Sequence, residues 1–273
     1  KKAEKILNKA LQKAEKIADN PGLCKTLNVI GVIYNYKGDL NKSLDYFQKS
    51  YLIAKKINNR SIMVAILNNM GIIYATKFDY DKSLIHYHKS LKIAKELDDK
   101  IFISKIMNSI GVRYRVQGNY NRALEYFHTS LHLAKKNKDR VQLAFCFLNI
   151  GTVFCHLKKY KNAKKYLKKS IKIQDDLETK IVEINTKVFL NLSLKKLNKP
   201  FEEQGFLENV KQNKIDNYEL NYHLYEIYND KSFLEKAYST LKSGATNMES
   251  EVKNKFFSYP IQKSILKEWY NRV

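Results

Sequence analysis

The stretch NVIGVIYNYKGDLNKSLDYFQKS, residues 28–50, returns forty residues later as NNMGIIYATKFDYDKSLIHYHKS at 68–90. It returns again as NSIGVRYRVQGNYNRALEYFHTS at 108–130 and as NIGTVFCHLKKYKNAKKYLKKS at 149–170. Glycine holds one place throughout, at Gly31, Gly71, Gly111 and Gly151. Three residues on stands an aromatic (Tyr34, Tyr74, Tyr114, Phe154), and twelve on a small residue (Ser43, Ser83, Ala123, Ala163). Sixteen on comes a large apolar residue (Phe47, Tyr87, Phe127, Leu167), and nineteen on a serine (Ser50, Ser90, Ser130, Ser170). Self-similarity at a fixed period of this length denotes a repeat architecture in which each unit covers its neighbour.

Each unit reads as a helical hairpin. Leu27, Ile30 and Tyr34 follow the i, i+3, i+7 spacing of a helical stripe, as do Leu67, Met70 and Tyr74. The glycine falls where two helices cross closely. Gly38-Asp39 and Gly118-Asn119 mark the turns, since glycine accepts the positive φ that ends many helices. One hairpin leaves apolar surface bare, so hairpins must stack.

These residues resemble the tetratricopeptide repeat family, in the 40-residue form of kinesin light chains and Pins-type adaptors. Leu27, Leu67, Met107 and Phe147 stand where the family often has tryptophan, and the proline that often closes a unit is absent. The resemblance implies an all-α, right-handed superhelical solenoid. The array is expected over residues 1–178, with a half-repeat at 1–19 and four full repeats from about residue 20. Residues 179–273 are expected to hold degenerate helical pairs and a C-terminal helical cap, with helices near 181–197, 201–213, 217–229, 231–243, 248–258 and 261–272. Pro200 suits the start of the second of these.

Composition narrows the function. Hydrophobic residues make up 44% of 273, enough for a continuous core, and only 9 Gly and 3 Pro occur. No apolar run approaches the roughly 18 residues of a membrane span, and the reading is of a cytoplasmic piece of a larger protein. Cys24, Cys146 and Cys155 form no metal or disulfide spacing and read as small buried side chains. The net charge of +23 rests on lysine rather than on the six arginines, a pattern that biased coding composition also produces. It still favours acidic partners. No phosphate loop, metalloprotease or hydrolase motif is present. His88, His128 and His132 lack a further ligand at their level, so neither metal nor cofactor is expected and the chain reads as a non-enzyme.

The resemblance also implies that the first helix of each pair lines a concave groove. Relatives that bind extended peptides often hold the backbone with asparagine there, because one amide both donates and accepts. Asn28, Asn68 and Asn108 share one repeat position, with Asn69 and Asn149 at its neighbour. With Asn35, Tyr36, Lys105 and Arg115 they form the expected peptide-binding set, the last two as receivers of a ligand carboxylate. The favoured function is a protein-interaction module, the interaction or sensor region of a regulatory protein, binding an extended peptide or partner helix. Two alternatives stand beside it: the peptide-pheromone sensor of a bacterial transcriptional regulator, and an RNA- or polyanion-binding protein using Lys161, Lys165 and Lys168 on the outer face.

Overall fold

The computed structural model describes residue 9 and residues 19–178, 183–212, 215–246 and 248–272. The half-repeat expected at 1–19, with its packing of 3–18 on the next helix, lies outside them except for Lys9 and Asp19. Every element among the described residues is a helix. The chain divides into two compact units, Lys1–Ile106 and Met107–Val273, so the expected change of character near residue 178 falls inside the second.

The first unit contains α1 (Asn20–Tyr36), α2 (Leu40–Lys56), α3 (Arg60–Thr76), α4 (Tyr80–Glu96) and the opening of α5 (Lys100–Val116). Each is 17 residues long and is joined to the next by three. The turn has one construction. Gly38 adopts φ +80°, and Asn58, Phe78 and Asp98 adopt φ of 54°, 59° and 52° at the corresponding place. The following residue then serves two helices. The Asp39 N–H donates to Tyr34 O at 3.0 Å, closing α1, while the Asp39 side chain accepts from Lys42 N–H at 3.1 Å, capping α2. Asp19, Asn59, Asp79 and Asp99 cap their helices in the same way.

Between paired helices the repeat positions account for one another. A Cβ placed on Gly31 would stand 2.6 Å from Phe47 Cε1, and one on Gly71 equally close to Tyr87 Cε1. The Ser43 hydroxyl donates to Gly31 O at 2.7 Å and Ser50 to Cys24 O at 2.7 Å, which satisfies buried hydroxyls at the crossing. Tyr34 stacks on Tyr46 at 5.4 Å and Tyr74 on His86 at 5.0 Å. Cys24, Phe47, Ala54, Ile66, Met70 and Ile73 form the core.

The second unit continues with α6 (Tyr120–Lys136), α7 (Arg140–His156) and α8 (Tyr160–Asp176). The same logic holds: Gly111 faces Phe127 and Gly151 faces Leu167, each 2.6 Å from the added Cβ. Asn119 and Asp139 cap α6 and α7, but Lys159 precedes α8 and gives no side-chain cap. The irregular region follows as α9 (Glu183–Lys196), α10 (Glu203–Gln212), α11 (Tyr218–Tyr228), α12 (Lys231–Gly244), α13 (Ser250–Ser258) and α14 (Pro260–Arg272). Pro200 lies in the loop, three residues ahead of α10, whereas Pro260 opens α14. Helix α9 packs on α8 and α11, and α12 on α11 and α14. Val188, Phe189, Leu192, Phe206, Val210, Leu224 and Phe233 join in one core.

Candidate ligand-binding amides and a buried ion cluster

In the first unit, Asn69 on α3 donates from Nδ2 to Asn28 Oδ1 on α1 at 3.1 Å. In the second, Asn149 on α7 donates from Nδ2 to Asn108 Oδ1 on α5 at 3.0 Å. Both pairs span 41 residues and all four side chains are half-buried. The repeat therefore places a donor and an acceptor against each other across adjacent first helices. Each bond uses one donor and one acceptor, so amide hydrogens and lone pairs remain for another molecule. Asn68, also half-buried, carries an Oδ1 out of contact with solvent and without a hydrogen-bond partner. Asn35 is half-buried on the last turn of α1, where Tyr36 is 85% exposed, and Lys105 is exposed on α5.

Arg115 behaves differently from its neighbours in that set. Its side chain is 9% exposed and grips Glu219 of α11 with both terminal nitrogens, Nη2 to Oε2 at 3.0 Å and Nη1 to Oε1. The carboxylate expected from a ligand is supplied here by the chain itself. His156 at the end of α7 joins them, its Nε2 lying 3.0 Å from Glu219 Oε1 and 2.9 Å from Arg115 Nη1. Tyr120 stacks on the His156 ring at 5.5 Å, and Phe189 meets His223 edge-on at 5.0 Å. His223 turns Nδ1 to Glu226 Oε2 at 2.7 Å, and Lys196 Nζ lies 3.8 Å from Glu226 Oε1. A cavity of about 10 Å³, room for a single water, lies beside Arg115 under Pro260 and Gln262.

The electrostatics follow from burial and pairing. Burial alone would raise the Glu219 carboxyl, but Arg115 and His156 outweigh it and hold Glu219 well below the usual carboxylate range. Burial pushes His156 down, against the raising effect of the Glu219 carboxylate. Glu226 is lowered by His223 and Lys196 against the opposing effect of burial. His156, Glu219 and His223 bring ligand atoms within 4.8 Å of one another, as a metal site would. Arg115 lies within hydrogen-bonding reach of His156 Nε2 and of both Glu219 oxygens, so a guanidinium stands where such an ion would. Sequence reading missed the group because Arg115 and Glu219 stand 104 residues apart and no motif joins them. The histidines weighed as ligands, His88, His128 and His132, are exposed.

The remaining chemistry is quiet. Burial pushes the Cys146 thiol up to about 11 and Cys155 up to about 12, which removes the thiolate at neutral pH. Cys24 is raised by burial as well. No helix among the described residues is long and apolar enough to cross a membrane. Lys161, Lys165 and Lys168 lie exposed on α8 around a concavity of about 410 Å³ that Lys164, Leu197 and Lys199 complete.

Sequence models of the tetratricopeptide repeat match residues 62–136 and 102–176, and another matches 25–57, together more than half of the chain. The chain belongs to the tetratricopeptide repeat family. Its fold is similar to aspartyl phosphate phosphatase F from Bacillus subtilis, with 16% identity, a TM-score of 0.70, and coverage of 95% of this chain and 66% of that one. It is also similar to the Rap conjugation gene regulator of plasmid pLS20 in complex with the Phr* peptide, at 15% identity and TM-score 0.65, covering 95% and 79%. The apo form of RapI is a third, at 14% and 0.63, covering 91% and 99%. No curated protein sequence matches the chain.

Proposed function

We propose that this chain is a non-catalytic interaction module that holds an extended peptide along its first helices. The hydrogen-bonded pairing of asparagines between adjacent first helices, seen in both units with the same 41-residue separation, carries the reading. A peptide backbone presents alternating N–H and C=O groups, and a row of amides can pair with them whatever the side chains are. In the first unit the contacting residues are Asn28, Asn68 and Asn69, with Asn35 and Tyr36 bordering them. Asn108 and Asn149 are their counterparts in the second unit, while Arg115 serves the internal cluster. The peptide held by the structurally similar pLS20 Rap protein supports a sensor role, in which binding is read out by a larger regulatory protein.

Panning a displayed library of random peptides against the whole chain tests the proposal. Sequences that stay extended, free of helix-forming and proline-rich runs, should be enriched by the natural chain. The Asn28→Ala/Asn68→Ala/Asn69→Ala variant should lose that enrichment while keeping its helical circular dichroism, because half-buried amides add little to the core. Equal enrichment by both proteins would place the peptide elsewhere.

A further inference from the structure

We infer that the concavity bounded by Lys161, Lys164, Lys165, Lys168, Leu197 and Lys199 binds a compact multivalent anion of the oligophosphate class. The four α8 lysines stand at i, i+3, i+4 and i+7 and so share one face of their helix. Lys199, beyond the end of α9, closes the ring from the other side, and Leu197 adds an apolar wall. Like charges in this spacing oppose helix formation, and none of the five has a carboxylate partner among the described residues. Lys199 pushes the Lys164 ammonium down, as expected where cations crowd without an anion between them.

Composition bias alone does not build this face, because the repeat shows what it replaced. The slot of Lys161 holds Asn41, Asp81 and Asn121 in the three preceding repeats, and that of Lys164 holds Leu44, Leu84 and Leu124. Lys165 stands where Asp45, Ile85 and Glu125 stand, and Lys168 where Gln48, His88 and His128 stand. Four positions change to lysine together, in one repeat, around one concavity of about 410 Å³. Lys159 meanwhile takes the place of the Asp or Asn that caps α1 to α7, and leaves the start of α8, a positive helix end, without a side-chain cap. The absence of matching lysines in the other repeats selects the ligand. A nucleic-acid chain needs a basic track long enough for several successive phosphates. A basin confined to one repeat, flanked by Lys158 just before α8 and by Lys172 on it, suits a short, densely charged anion whose phosphates lie together.

Calorimetric titration of the whole chain with inorganic tripolyphosphate tests this, with ATP and oligouridylate in parallel. At about 50 mM salt, tripolyphosphate should bind one to one, and weaken steeply as salt rises. Lys164→Leu/Lys165→Glu restores the residues of the third repeat, so the protein should fold with an unchanged or higher melting temperature. Its affinity should fall about tenfold or more through loss of cations in direct contact. The control Lys89→Leu/Lys92→Glu alters net charge equally on α4 and should leave affinity within about twofold of the natural chain. ATP binding as tightly as tripolyphosphate assigns the phosphates to a nucleotide, and tripolyphosphate alone assigns an inorganic source. Equal losses in both variants would reduce the effect to net charge and overturn the site. No binding, or oligouridylate binding far more tightly through the same lysines, would overturn it too.

Discussion

A turn residue in this chain takes a left-handed backbone conformation that its identity rarely suits. At every described helix-to-helix turn from residue 38 to residue 198 one residue takes positive φ, yet only Gly38 and Gly118 are glycine there. Lys138 adopts φ 55° with an ordinary side chain. A left-handed residue with a Cβ costs about 1–2 kcal/mol, whereas glycine loses about 0.4–1 kcal/mol through its freer unfolded chain. Lys138→Gly should therefore stabilise the protein by about 0.5–1 kcal/mol, measured as a rise in the urea midpoint with unchanged slope. A fall in the midpoint would show that the turn is not strained. The glycines of the repeat were legible at once, because a close crossing demands them every forty residues. The cap that recurs every twenty was not, since either Asp or Asn stands there and single polar residues carry little periodic signal.

At the scale of elements, the regular pairs and the irregular ones are joined by different physics. Regular pairs meet through packed glycines and buried serine hydroxyls, which a sequence repeat encodes directly. Helix α11 is attached to α5 and α7 by Arg115, Glu219 and His156, whose separation in sequence hides their meeting. Helix limits in the irregular region were readable from turn residues, within a few positions for α9 to α14, while the partner of α9 was not. An isolated buried pair is costly to break, but costs little to replace as a whole. Arg115→Ala should destabilise the protein by about 3–5 kcal/mol, because Glu219 is left charged and unpaired. Arg115→Met/Glu219→Met should recover most of that loss in denaturant titrations. If the double variant were as unstable as the single one, the cluster would be fixing the position of α11 through geometry that apolar packing cannot supply.

For the whole molecule, the repeat made the all-α class readable from residues 28–170, and family membership follows from the matched sequence models. The candidate amides were readable only where they repeat: the asparagines could be named, but their pairing across helices is a property of the stacked structure. Arg115 was drawn into the ligand set by its place on the helix, and its true carboxylate lay in a region where the repeat had decayed. The basic concavity was half visible, since Lys164 and Lys199 complete it from an apolar slot and from a loop. In the proposed binding mode, asparagine amides hold a peptide by its backbone rather than by its side chains. A peptide enriched against the chain can carry N-methyl groups at single backbone positions and be titrated against the natural protein and the Asn28→Ala, Asn68→Ala and Asn69→Ala variants. In double-mutant cycles, particular N-methyl positions should couple to particular asparagines by about 0.5–1.5 kcal/mol each, with alanine replacement of peptide side chains mattering less. N-methylation and asparagine loss acting independently at every position would contradict the account.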